Sequence, residues 1–391
     1  MESLSVPKQR IYSIDILRGV VMLIMALDHV RDFFHITAMT ADPLDLQTTT
    51  PALFFTRWIT HFCAPVFVFL SGTSAYLASR KRTKREAGLF LIRRGIWLIM
   101  IEVTVMTFAI TFNPFFTAII FQVIWAIGCS MVLLGLVSFI NLQTVVVIGF
   151  LLVFGHNILD FTLAPKQGFN QIVSSLLFTS ADKFIPLNNN HFIFDLYAIL
   201  PWTGIMFLGY AFGTVYKNGV TSLARKKILR LGIGVTLFFI VIRFINSYGD
   251  PFPWLKQRNG LYTLLSFVNV TKYPPSLCYT CMTLGPAMIL LSWLDDAQSR
   301  ASRVFRLYGS VPFFYYVLHF YLIHLLLLIF FFMSGYGEKD IVNPQAPFLF
   351  RPQNFGFHLP VVYLIWLFVI VVLYSLVNGS TGIEARTSNG G

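Results

Sequence analysis

Long apolar runs separated by short polar breaks dominate this chain. A helix needs about 20 apolar residues to cross a bilayer, and ten such runs can be drawn: 11–35, 53–79, 88–110, 114–138, 144–163, 196–216, 229–246, 274–294, 304–333 and 359–378. The breaks alternate in character. "RKRTKR" (80–85), "ARKKILR" (224–230) and "SRASRVFR" (299–306) are short and basic. Those at 36–52, 164–195, 247–273 and 334–358 are longer and rich in Pro, Asn and Asp. The pattern predicts an all-α integral membrane protein, a bundle of about ten transmembrane helices in a single polytopic domain over 1–378. Both termini are expected in the cytosol, and the Gly-rich segment 379–391 is expected to be a disordered polar tail.

Composition excludes a soluble alternative. Hydrophobic residues make up 56% and charged residues only 12%, with mean hydropathy +0.70; an ordinary globular domain carries about 25% charged residues. The net charge of +12 reads as topology, not nucleic-acid binding. Of the 29 Lys and Arg, 18 fall on the inner side, counting Arg93, Arg94, Arg230 and Arg306 at the inner ends of their runs, seven in the opposite loops, and four (Arg18, Arg31, Arg57, Arg243) deeper within spans, as the positive-inside rule requires. The bilayer is therefore an expected partner and nucleic acid is not, and a cell membrane, of the bacterial inner-membrane kind, is the expected location. Cys63, Cys129, Cys278 and Cys281 lie in apolar runs. Cys278 and Cys281 lack two further ligands at zinc spacing, so no metal is expected.

The first run contradicts the apolar theme. "SIDILRGVVMLIMALDHVRDFFH" (13–35) holds Asp15, Arg18, Asp28, His29, Arg31, Asp32 and His35. An ionised group near the bilayer centre costs about 2.5–3.5 kcal/mol on insertion scales, so such groups face a bundle interior and mark function. Arg18 and His29 are about 16 Å apart along an ideal helix and project within about 20° of each other. Asp15 and Arg18 can pair at the inner end, whereas Asp28, Asp32 and His35 form a second stripe at the outer end. Other spans add Arg57, His61, His156, Asp160, Asp195, Lys272, Tyr273, His319 and His324, which the proposed topology places largely in the outer half. Imidazoles accept and return protons near neutral pH, and a carboxylate such as Asp28 could orient His29.

Five blocks in order, "SIDILRG…LDH", "FVFLSGTSAYL", "LPWTGIMFLGYAFG", "KYPPSL…MTLGPAM" and "YGSVPFFYYVLHFYLIH", resemble the bacterial membrane proteins related to heparan-alpha-glucosaminide N-acetyltransferase. The resemblance runs from about residue 10 to 375. It extends to the wider transmembrane acyltransferase group, whose first span carries an Arg, ten intervening residues and a His, the spacing of Arg18 and His29. It implies transfer of an acetyl group from cytosolic acetyl-CoA to an extracytoplasmic amino sugar or other glycan. The implied donor site is Arg18 with Asp15. The implied catalytic group is His29, as general base or acetyl carrier, tuned by Asp28. His61, His319, Lys272 and Asp32 are secondary candidates. A homodimer is left open. A proton-coupled permease uses the same intramembrane residue types, and a non-catalytic scaffold is the third alternative.

Overall fold

The computed structural model describes residues 10–162, 169–180, 183–295, 297–342 and 347–388, and it is mostly helical. Among the described residues, seven helices are long and apolar enough to cross a membrane: Pro51–Ser79 (α2), Leu142–Phe161 (α5), Ile199–Tyr216 (α6), Ser222–Ile245 (α7), Leu277–Leu294 (α9), Pro312–Met333 (α11) and Leu359–Gly379 (α12). The three other expected spans coincide with Tyr12–Phe34 (α1), Lys84–Ile101 (α3) and Val123–Ser138 (α4). α1 and α3 carry several charges, and α4 is 16 residues long. Gly260–Val268 (α8) and Arg300–Ser310 (α10) are shorter connecting helices.

Local chemistry sets the boundaries. Thr83 and Glu86 form a reciprocal capping box that starts α3, and the two hydrogen bonds from Thr83 hold the Glu86 carboxyl below its ordinary value. The run expected at 304–333 is two helices, not one. α10 ends at Ser310 and α11 begins with Pro312 in its first turn. Proline has no N–H to donate and disfavours helical backbone at the residue before it, and Val311 sits at φ −127°, ψ 51°.

A second departure from the all-α expectation is a small sheet. Ala118–Phe121 (β1), Phe184–Pro186 (β2) and Phe192–Asp195 (β3) form the order β1-β3-β2, with β1 parallel and β2 antiparallel to β3. The run drawn at 114–138 therefore starts as strand: Ile119 pairs with Ile193 and Ile120 with Phe194. Segments too short to cross a membrane satisfy their backbone groups with each other. The last helix runs on from Leu359 to Ser388, covering most of the stretch expected as a tail; residues 389–391 lie outside the described residues.

α1 is central, packing against α2, α9, α10, α11 and α12. Its closest approach is to α10. A Cβ on Gly19 would lie 1.8 Å from the Phe305 carbonyl oxygen, and one on Gly309 would lie 1.8 Å from that of Asp15. Only glycine allows these two backbones to touch.

Candidate functional site

α1 delivers its polar groups to two places. At its N-terminal end Asp15 is flanked by Arg10 and Arg18, the latter with Nη1 donating to Oδ1 at 3.3 Å. Arg18 Nη2 donates to Ser74 Oγ of α2 at 2.8 Å. Both residues line a cavity of about 1490 Å³ whose lining includes Arg10, Arg80, Lys81, Arg82 and Lys217. Arg18, Ser74, Ala78 and Phe90 also line a second, narrower cavity of about 180 Å³. Its walls are mostly apolar (Phe67, Leu98, Val123, Ile127, Met131, Phe313), and Tyr316 of α11 lines it too.

Tyr316 is the link to the second place. Its ring lies 5.4 Å from His319 and 6.4 Å, edge-on, from His29. His29 Nδ1 and His319 Nε2 are 2.6 Å apart, so one nitrogen must donate and the other accept. His319 Nδ1 lies 3.2 Å from the Tyr315 carbonyl oxygen, which can only accept. His319 is therefore protonated on Nδ1, its Nε2 accepts from His29 Nδ1–H, and the lone pair of neutral His29 is on Nε2. His319 is fully buried, whereas His29 keeps some exposure. Phe320 stacks on His29 at 4.2 Å. Chemically, the pair leaves one basic nitrogen uncommitted and gives the imidazolium that would form there a hydrogen-bond acceptor.

Asp28 does not orient His29. One of its oxygens accepts from Arg31 Nη2 at 2.9 Å and the other from Arg57 Nη1. Two guanidiniums satisfy that carboxylate on the neighbouring face, while Asp32 takes the remaining reach of Arg31 at 2.6 Å. His35 leaves the site altogether: its Nδ1 meets Thr37 Oγ1 at 3.0 Å, and its carbonyl accepts from Arg351. His61 is 1% exposed, with neither ring nitrogen hydrogen-bonded. It lies edge-on to Tyr279, whose hydroxyl donates to the His61 carbonyl at 2.8 Å. Lys272 is buried beside Tyr273, its Nζ 4.9 Å from that ring. His324 stacks on Phe112 at 4.0 Å, against different neighbours from those of the imidazole pair.

Two residues linked through Gln122, whose Oε1 accepts from the Tyr316 hydroxyl at 3.5 Å, were not among the sequence candidates. Tyr316 looked like one aromatic in an aromatic-rich run, and nothing in its spacing distinguishes it. Glu102 had a signal, a lone acid inside an apolar run. It is 0% exposed, opens the wide turn Glu102–Met106, and accepts from the Gln122 N–H at 2.7 Å at the start of α4. Wide turns of this kind recur at functional sites. Among the described residues no cluster of His, Cys, Asp and Glu is arranged to hold a metal ion.

The molecule thus combines helices long enough to span a membrane, a hydrogen-bonded imidazole pair, and two cavities that share Arg18 and Ser74. The chain belongs to the family described as heparan-alpha-glucosaminide N-acetyltransferase, catalytic, which matches residues 10–241, more than half its length. That makes it a member of a family of membrane acetyltransferases. The match takes in Arg18, Ser74, His29 and Asp28 and ends before α11, so His319 and Tyr316 are assigned to the site by geometry alone. No curated protein matches the chain.

Proposed function

We propose that the protein transfers an acetyl group from cytosolic acetyl-CoA to an amino sugar or other glycan acceptor on the far side of the membrane. On this reading ten spans place both termini inside and the bundle lies in the cell membrane. The observation that carries the proposal is the pair of adjoining cavities. A wide basic cavity suits the phosphates of a nucleotide, and Arg18 and Ser74 stand where it meets the narrow apolar one. An extended pantetheine arm fits such a constriction. Tyr316 lies where the thioester would approach His29 and His319.

In the transfer, His29 Nε2 takes the proton of the acceptor amine or hydroxyl as its nitrogen or oxygen attacks the thioester carbonyl carbon. The carbon–sulfur bond breaks, and the thiolate leaves with the coenzyme. His319 Nε2 accepts from His29 Nδ1–H throughout, so the positive charge on His29 forms beside a fixed lone pair. His319 thus has the orienting role first expected of Asp28. Asp28, Arg57, Asp32 and Lys272 form the charged outer surround, in which a polar acceptor would lie.

Radiolabelled acetyl-CoA incubated with purified protein and a panel of amino sugars tests this directly. Label appearing in a sugar with release of free coenzyme is the expected result. Accumulation of a sugar inside proteoliposomes without coenzyme turnover would replace the enzyme by a permease.

A further inference from the structure

A separate basic cavity lies at the same end of the bundle and is used by nothing above. It measures about 570 Å³ and is lined by Arg10, Arg300, Arg303 and Arg306 together with the rings of Tyr12 and Tyr374. Arg300, Arg303 and Arg306 are spaced three apart on α10 and so form one row along the helix. α10 has 11 residues, too few to cross a membrane, and its opposite side buries Ser302, Tyr308 and Gly309. It therefore lies as a basic amphipathic helix at the end of the bundle, the arrangement of interfacial helices.

The positive-inside rule asks only for basic residues on one side of the membrane; it does not ask them to converge. Here four arginines share one concavity, and no carboxylate is among its lining residues. Among the described residues, no acid pairs with Arg300, Arg303 or Arg306. Arg306 is held over the Tyr12 ring at 4.4 Å, which fixes one wall of the cavity. Arg10 is paired with Asp15, but the three guanidiniums of α10 are gathered without a counterion, and such planar groups match the oxygens of a phosphate.

We propose that this cavity binds a phosphate ester, with the headgroup of an anionic phospholipid of the inner leaflet as its occupant. The site shares Arg10 with the cavity that reaches Arg18 but is otherwise lined by different residues, and the inference does not depend on acetyl transfer. Because α10 touches α1 through Gly19 and Gly309, the occupant would brace the helix that carries Arg18 and His29.

The test compares wild type with R300Q/R303Q. Both arginines are exposed, so their loss leaves the packed side of α10 intact. Native mass spectrometry of protein released from mixed phosphatidylglycerol–phosphatidylcholine nanodiscs should show preferential retention of phosphatidylglycerol by wild type. Each juxtamembrane arginine is worth about fivefold in affinity for an anionic lipid surface, so the double variant should lose about 25-fold in that preference. R300K/R303K, which keeps the charge, should recover most of it. A parallel titration of lipid-free protein with inorganic phosphate separates the sources. Phosphate binding that depends on the pair, without a lipid preference, keeps the site and makes its ligand a soluble phosphate. Wild type and R300Q/R303Q behaving alike in both experiments overturns the site.

Discussion

Arg18 and Arg243 are both arginines drawn into long helices, yet their surroundings differ in kind. Arg18 stands at the meeting of two cavities, with a serine hydroxyl, one carboxylate and a distant backbone carbonyl for company. Arg243 donates to the carbonyls of Phe252, Ser266, Phe267 and Asn269, all in the segment that follows its own helix, and lies 3.8 Å from Asp250. Its donors are spent on the backbone. An intramembrane arginine whose donors close on carbonyls holds a loop in place, whereas one that faces open volume is available to a ligand. The same contrast separates the two ends of α1. The N-terminal end faces cavities, while at the C-terminal end Arg31, Arg57 and Asp28 close on one another.

The sharpest way to break this contrast is at the imidazole pair. Removing a general base costs about 10²–10⁴ in rate, so His29→Ala should reduce acetyl transfer by that factor while leaving coenzyme A affinity within about twofold. His319→Ala should fall in the same direction, and His319→Gln, whose amide oxygen can still accept from His29, should fall less. Single-turnover transfer with labelled acetyl-CoA measures all three. Full activity in His29→Ala would remove the pair from the chemistry. The next largest effect belongs to the closed arginine. Arg243→Ala strands several buried carbonyls, and breaking a buried charged network costs about 3–5 kcal/mol. Thermal unfolding in detergent should report that loss, with normal coenzyme affinity in the fraction that remains folded.

Much of the architecture is written in apolar run length, because a bilayer imposes one length on every crossing helix. The central position of α1 was legible for the complementary reason: a helix with that many charges has to lie inside the bundle. What run length does not reveal is where a short apolar segment turns into strand, as at Ala118–Phe121, or that Pro312 divides one run into two helices. The site was legible in part. Arg18 and His29 stand out by spacing along one helix, but the partner of His29 comes from residue 319, and no local pattern encodes a contact across 290 positions. Asp28 was the natural choice because it is adjacent in sequence. Adjacent residues on a helix point about 100° apart, however, and that difference sends Asp28 to Arg31 and Arg57.

Arg18→Ala sharpens the comparison from the open side. A hydrogen bond to a charged group is worth about 1.5–3 kcal/mol, so coenzyme A affinity should weaken about 10–100-fold, read by titration of purified protein. Thermal stability should change by less than in Arg243→Ala. If the two variants instead lose stability equally and donor affinity is untouched, the distinction between open and closed arginines fails, and Arg18 belongs to the packing of α1 against α10.

The smallest expected effect lies in the small sheet and tests whether that region is as closed as its hydrogen bonds make it. Asp195 ends β3, is fully buried, and accepts from the Tyr197 N–H at 3.3 Å. Burial pushes its carboxyl up to about 6, against the opposing effect of the hydrogen bonds it accepts. In the unfolded chain the same group titrates near 3.9. Between those values the folded protein binds more protons than the unfolded one, so stability falls as pH rises from about 4 to about 6 and is flat above. The slope corresponds to about 1 kcal/mol between pH 4 and pH 5. Asp195→Asn keeps an acceptor for Tyr197 and removes the titration, so it should flatten that part of the profile and leave the variant more stable than wild type at pH 7. Thermal unfolding of both proteins across pH 4–7 measures the difference. A wild-type profile that is already flat there would mean that water reaches Asp195, and the region around the sheet would then be open as well.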